Sequence, residues 1–161
     1  MSTASQKITP CLWFDNQAEE AVHYYLEVFS TGKIKETSYH GEHSPGRAGD
    51  VLTIVFELEG QNFMALNGGP YFTFTPAVSM VIDCHSQEEV DRYWDYFAAE
   101  GKEDQCGWIQ DKYGVSWQVV PAVLTEMLQD KDTNKAEAVM QAMLQMKKIN
   151  ISELKQAYDQ V

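Results

Sequence analysis

Basic side chains are scarce in this chain, cysteines scarcer, and no apolar run is long. Lysine and arginine together number 12 against 24 aspartates and glutamates, a net charge of −12 at pH 7. A surface of that sign repels phosphate backbones and anionic lipid head groups, so no nucleic acid is expected as a partner. No stretch approaches the roughly 20 apolar residues of a membrane helix, so no membrane is expected either. The polar start, residues 1–10, lacks an apolar segment followed by a small-residue cleavage site and does not read as a secretory signal. Cys11, Cys84 and Cys106 are odd in number and irregular in spacing, which suits free thiols in a reducing compartment better than a disulfide framework. The expected location is cytoplasmic. What is plentiful is apolar: 44% of the 161 residues are hydrophobic, enough to bury a core.

One pattern occurs twice, the second copy about 69 residues after the first. Glu19-Glu20 correspond to Glu88-Glu89 (88 − 19 = 69), Tyr24 to Tyr93, and Gly32-Lys33 to Gly101-Lys102, without a gap. The apolar phase is kept, since Ala21, Tyr25 and Val28 become Val90, Trp94 and Phe97 on one helical face. Any two amphipathic helices flanked by strands align in part, but a duplicated unit explains the whole set. A duplicated architecture usually puts its site where the copies meet.

Residues 8–14 read as a strand. Asn16 then offers a cap with Glu19 three positions on, predicting a helix over about 17–29 that Gly32 stops. Strands follow over 33–39, 51–58 and 62–67, the last two joined by a tight turn at Gly60-Gln61. The loop 41–50, rich in glycine and with Pro45, suits a flap over the site and a tolerated surface loop equally. Gly68-Gly69-Pro70 breaks the chain. The second copy reads as a strand over 77–84, then Ser86-Gln87-Glu88-Glu89 as a capping box opening a helix to about Glu100. Short strands over 102–105 and 107–110, a type I turn over 111–114 and a strand over 115–120 complete it. Helices follow over about 122–129, 133–147 after the cap Asp132, and 152–158, with Ala136, Val139, Met140, Met143 and Lys147 marking one stripe. The expected organisation is a first module over 1–70, a second over 71–121 and a helical C-terminal extension over 122–161, in one compact domain.

Strand, helix and three strands, given twice, resembles the vicinal oxygen chelate superfamily, the glyoxalase and bleomycin-resistance fold. The segments Ile8-Thr9-Pro10-Cys11-Leu12-Trp13-Phe14, Phe63-Met64-Ala65-Leu66-Asn67-Gly68-Gly69-Pro70, 107–121 and 143–148 look like its PhnB-like branch, often described as 3-demethylubiquinone-9 3-methyltransferase. The similarity runs over about residues 7–158. It implies an α+β fold of paired βαβββ modules forming an open cup-shaped mixed sheet, with the site in the cup and a C-terminal helical extension behind. A methyltransferase of the nucleotide-binding type would need a glycine-rich loop between a first strand and a helix. Gly68-Gly69 runs into Pro70 instead, and the glycines between 41 and 49 sit in a loop, so that activity is not expected.

In metal-using relatives, a side chain from the first and last strand of each half holds a divalent ion. Matching strands puts Pro10, Asn67, Ser79 and Gln118 at those places, with Pro10 and Ser79 on the repeat offset (79 − 10 = 69). Proline has no ligand, serine is a poor one, and two carboxamides bring no charge to offset a dication. No metal and no cofactor are expected. His40 and His43 lie three apart in a loop without further ligands near in sequence; His23 reads as helix surface. Cys84 beside His85 invites a nucleophile-and-base pair, with Cys106 a further thiol, but strand neighbours point to opposite sides.

The resemblance leaves a concave, half-apolar pocket for a small organic molecule. Its expected lining is Trp13, Phe63 and Trp108 as aromatic wall, with Trp117 a further candidate, and Asn67, Ser79 and Gln118 as hydrogen-bonding groups. Packing between sheet and helix is the competing role of every one of these aromatics. A binding protein without chemistry and an enzyme of unassigned reaction both fit; a metal-dependent lyase or dioxygenase is the alternative. A homodimer is expected, because open sheet edges invite a partner and relatives of this fold usually pair.

Overall fold

Alternating burial along the strands decides which side chains meet a helix and which face away from it. The computed structural model describes residues 6–161, and the chain divides after Thr73 into two units. The first contains β1 (Cys11–Phe14), α1 (Ala18–Val28), β2 (Gly32–Tyr39), β3 (Val51–Leu58) and β4 (Gln61–Asn67). The second contains β5 (Ser79–Cys84), α2 (Gln87–Ala98), β6 (Lys102–Glu103), β7 (Trp108–Gln110) and β8 (Ser116–Pro121). It continues into α3 (Ala122–Leu128), α4 (Thr133–Met143) and α5 (Ile151–Asp159). Each unit carries one open four-stranded mixed sheet, ordered β1-β4-β3-β2 and β5-β8-β7-β6, with the first strand parallel to the last and the other pairs antiparallel. The two sheets thus repeat one topology, the α+β arrangement expected of paired βαβββ modules.

In the first unit Leu12, Phe14, Ile54, Phe56, Leu58, Phe63 and Ala65 alternate inward toward Ala18, Ala21, Val22, Tyr25 and Val28 of α1. Tyr25 stacks over Phe56 at 6.5 Å between ring centroids, and Phe56 over Phe63 at 5.5 Å. In the second unit Ile82, Cys84, Ile109, Trp117 and Val119 play the same part against Val90, Tyr93, Trp94 and Phe97 of α2, where Phe97 stacks on Trp117 at 5.1 Å. The 69-residue offset holds along the helices but becomes 70 at the first strands, where Leu12 and Phe14 match Ile82 and Cys84 (82 − 12 = 84 − 14 = 70). The connection into the helix is one residue shorter in the second unit, which absorbs the difference.

Several element ends differ from the sequence expectation, each for a local reason. β1 starts at Cys11, not Ile8: Pro10 has no N–H to give and contributes only its carbonyl to Met64 N (2.9 Å), while Ile8 is exposed. Asn16 does not cap α1; the cap position is Gln17 and makes no side-chain bond. Gly32 does not stop α1, which ends at Val28; it opens β2, and an added Cβ there would lie 2.8 Å from Glu57 O. The hairpin turns at Glu59-Gly60, one residue earlier than expected, both at positive φ (47° and 81°) as a two-residue turn of the primed kind requires. Ser86 caps α2 through Glu89 N (3.1 Å), but Glu89 reaches back to His85 N (2.6 Å) rather than to the cap residue itself.

α4 stops at Met143 instead of Lys147, because the carbonyls that follow are taken up elsewhere: Met146 O accepts from Cys106 N and Lys147 O from Gly107 N, both at 2.8 Å. Met140 lies on the exposed side, and Val139, Met146 and Ile149 join Leu124 and Leu154 in the core of the extension. Gln87 fastens the same stretch to α2, its Nε2 donating to Ile149 O (3.0 Å) and its Oε1 accepting from Ile151 N (2.8 Å).

The expected turn over 111–114 is present, with Gly114 N bonded to Asp111 O at 2.9 Å. The buried Asp111 carboxylate does more than start it. Oδ1 accepts from Tyr113 N (2.9 Å) and Val115 N (3.0 Å), and Oδ2 from the Trp117 indole (2.9 Å). Asp111→Asn must turn an NH2 group toward one of these donors, leaving it unsatisfied. We expect a loss of about 2 kcal/mol, read as a lower urea midpoint with an unchanged slope.

Candidate functional site

On β8, Trp117 and Val119 face α2, so Gln118 projects from the opposite, open face of the second sheet. Trp108 is its register partner on β7 and shares that face. Gln118 Nε2 donates to Ser79 Oγ at 3.0 Å, bridging β8 to β5. Ser116, paired with Ser79 on one side and Gln110 on the other, carries a buried hydroxyl that finds no partner among the described residues. Three of the six expected site residues, Ser79, Trp108 and Gln118, thus occupy one patch whose polar members are neutral donors and acceptors.

The three residues expected from the first unit do not form an equivalent patch. Trp13 alone points away from α1; its indole Nε1 donates to Gly69 O at 2.9 Å, and Phe72 meets the ring edge-on at 5.0 Å. A Cβ on Gly68 would lie 2.3 Å from that ring, so only glycine admits the close approach. Phe63 is on the helix side, stacked on Phe56 in the core. Asn67 pairs with the buried Phe14 and is on the helix side too. Its Oδ1 accepts from Ala18 N (2.9 Å), doing the work expected of Asn16, and its Nδ2 donates to Val51 O (3.0 Å). By ladder position and face, Gln118 corresponds to Met64 (118 − 64 = 54, as for Val119 and Ala65), not to Asn67. The same shift aligns Ser79 with Thr9 rather than Pro10.

A cleft of about 850 Å³ lies at the strand ends of the first unit, lined by Trp13, the α1 start, the loop after β2 and Gly68 to Tyr71. That loop is held by its own bonds: His40 N to Asp50 O (2.8 Å), Gly49 N to His40 O (2.9 Å) and Asp50 N to Arg47 O (3.1 Å). His40 Nδ1 meets Ser44 Oγ at 2.5 Å, which commits one ring nitrogen within the loop, while His43 is exposed.

No group of three or more His, Cys, Asp or Glu side chains suited to a metal occurs among the described residues. The donors at the positions matched to metal-using relatives do not fit a dication: Ser79 and Gln118 bond each other, and both ends of the Asn67 amide are engaged. The Cys84 thiol is pushed up to about 12, first by burial and then by the Glu89 and Asp83 carboxylates, with Arg92 opposing. It lies under α2 while His85 is exposed, so the pair makes no nucleophile and base. No helix among the described residues is long and apolar enough to cross a membrane.

With this geometry in place, comparison identifies the family. A family model described as 3-demethylubiquinone-9 3-methyltransferase matches residues 6–120, and the chain belongs to that family. The 143–148 motif lies outside the match. A protein described as 3-demethylubiquinone-9 3-methyltransferase, PhnB protein, from Bacillus cereus is 38% identical over 73% of this chain and all of its own, with a TM-score of 0.67. Two more distant structures share the fold. The fosfomycin resistance protein FosX from Listeria monocytogenes is 15% identical over 80% of this chain and all of its own, with a TM-score of 0.56. A glyoxylase/bleomycin resistance protein/dioxygenase domain from Frankia sp. EAN1pec is 13% identical over 74% of this chain and 93% of its own, with a TM-score of 0.51. The likeness to these two is one of fold. No curated protein matches it.

Two outcomes test this account of the residues. Asn67→Leu removes the cap of α1 and leaves Ala18 N and Val51 O without partners, and should cost about 2–3 kcal/mol in chemical unfolding. At pH 8, iodoacetamide should label the exposed Cys11 in the native protein and reach Cys84 only in denaturant, as read by peptide mass spectrometry.

Proposed function

We propose that the protein binds a small organic molecule, without a metal ion, on the open face of its second sheet. The observation that carries this reading is the Gln118–Ser79 bond beside Trp108: an indole for a flat apolar group, and a carboxamide held in place by its bond to Ser79. A preorganised amide orients a ligand by hydrogen bonds, and its neutrality favours an uncharged partner group there. Ser79, Trp108 and Gln118 include no general acid, base or activated thiol, so binding without turnover is the primary reading. A lyase or dioxygenase would need anionic or imidazole donors where these carboxamide and hydroxyl groups stand.

The methyl transfer named by the family description finds no support in the connections that follow the strands. α1 is entered through Asp15-Asn16-Gln17 and α2 through His85-Ser86, neither of them a glycine-rich loop that would admit a nucleotide-bearing methyl donor. A homodimer in the cytoplasm remains part of the proposal, on the grounds of open sheet edges and acidic, cysteine-poor composition.

Native mass spectrometry of protein purified without a tag tests the reading. We expect a retained small organic molecule that Gln118→Leu and Ser79→Val each release, with the fold intact by circular dichroism. Stoichiometric zinc, nickel or iron in elemental analysis, lost on Gln118→Leu, would overturn it.

A further inference from the structure

We propose that the Asn67-Gly68 step is a site of spontaneous deamidation, held unreactive by the native fold and opened when β1 leaves its sheet. It is the one Asn-Gly pair in the sequence. Glycine carries no Cβ to keep its nitrogen from the preceding carboxamide, so this pair closes on itself most readily. Gly68 N, having given its proton to hydroxide, attacks Asn67 Cγ. The new N–Cγ bond closes a succinimide while the Cγ–Nδ2 bond breaks, and Nδ2 leaves as ammonia with a proton from water. Water then adds to either ring carbonyl and opens the ring to aspartate or to isoaspartate at position 67.

Every group in that step is engaged in the structure. Gly68 N donates to Phe14 O at 2.9 Å, Asn67 Oδ1 accepts from Ala18 N at 2.9 Å, and Asn67 Nδ2 donates to Val51 O at 3.0 Å. These bonds keep the proton on Gly68 N and hold the carboxamide toward the starts of α1 and β3, away from its own backbone. Neither residue can be exchanged without disturbance: a Cβ on Gly68 would lie 2.3 Å from the Trp13 ring, and Asn67 caps α1. The weak point is β1, four residues long and at the edge of its sheet, so its opening is local and easier than that of the whole unit. The product does not fit the place it left. An aspartate at 67 still accepts from Ala18 N but sets a carboxylate oxygen against Val51 O, and isoaspartate adds a main-chain carbon that moves Gly68 off Trp13 and Phe14. A transient opening thus becomes permanent, and it loosens α1 and β3 where each begins.

The site is independent of the ligand proposed for the second sheet, and its test reads a covalent change rather than binding. The full chain is held at pH 8, folded and in guanidinium chloride, and peptide mass spectrometry follows conversion of amide to acid at Asn67, with Asn62 of the same strand as reference. We expect Asn67 to convert ahead of Asn62 in denaturant, and about tenfold or more slowly in the folded chain, a ratio set by local opening. Trp13→Phe, which gives up the bond to Gly69 O, should speed conversion severalfold in the folded chain and leave the rate in denaturant unchanged. Asn67→Asp, which carries the α-linked product, should lower the denaturation midpoint. Equal rates folded and in denaturant, Asn62 converting first, no effect of Trp13→Phe on the folded chain, or Asn67→Asp matching the parent in stability would overturn the proposal.

Discussion

Closure of each sheet by a parallel pair, first strand beside last, is the constraint on which the rest depends. A parallel neighbour cannot be reached by a tight turn, so the chain must travel through a helix and two further strands before returning. That journey lays the helix across one face and leaves the other open. Because side chains alternate, the ladder register then assigns every residue to helix or to opening, and a shift of one would exchange the two sets. Leu12 opposite Ala65 and Ile82 opposite Val119 are the pairs that set this assignment in the two units.

This constraint explains what could be read from residues and what could not. The strand Val51–Leu58, the α2 capping serine and the Asp111 turn were legible because short-range chemistry specifies them: β-branched alternation, a hydroxyl before a carboxylate, an aspartate three before a glycine. The repeat was legible along the helices, where Tyr24 and Tyr93 both pack inward. It misled at the strands. A one-residue difference in the strand-to-helix connection carries no local signature, yet it reverses the face of the matched positions on the first strands, which is how Pro10 came to be set beside Ser79; Asn67 and Gln118 are 51 apart (118 − 67) where the last strands correspond at 54 (119 − 65).

Asn67 shows the same limit from the other side. Its type suited a ligand contact, and nothing nearby in sequence announced that a helix start 49 residues earlier would need an acceptor. The apparent cap, Asn16, was the more economical local reading, and a tertiary bond displaced it. α4 was overextended for a related reason: its apolar period runs on past Met143, but the backbone there is recruited by Cys106 and Gly107. In both cases a long-range hydrogen bond outcompetes a local preference worth only tenths of a kcal/mol per residue.

The division of polar chemistry between the two units follows from these facts. Around Gln118 on the open face of the second sheet, the register sets hydroxyls and carboxamides beside an indole, with Asp83 and Lys102 the charged residues of that face. At the strand ends of the first, loops and the start of α1 rather than ladder positions place Asp15, Glu19 and Asp50, so charge gathers where the backbone has left the sheet. Family membership therefore fixes the scaffold more firmly than the chemistry. Residues that face away from the helix can change without disturbing the core, and a ligand site built on them is free to diverge from the activity in the family's description.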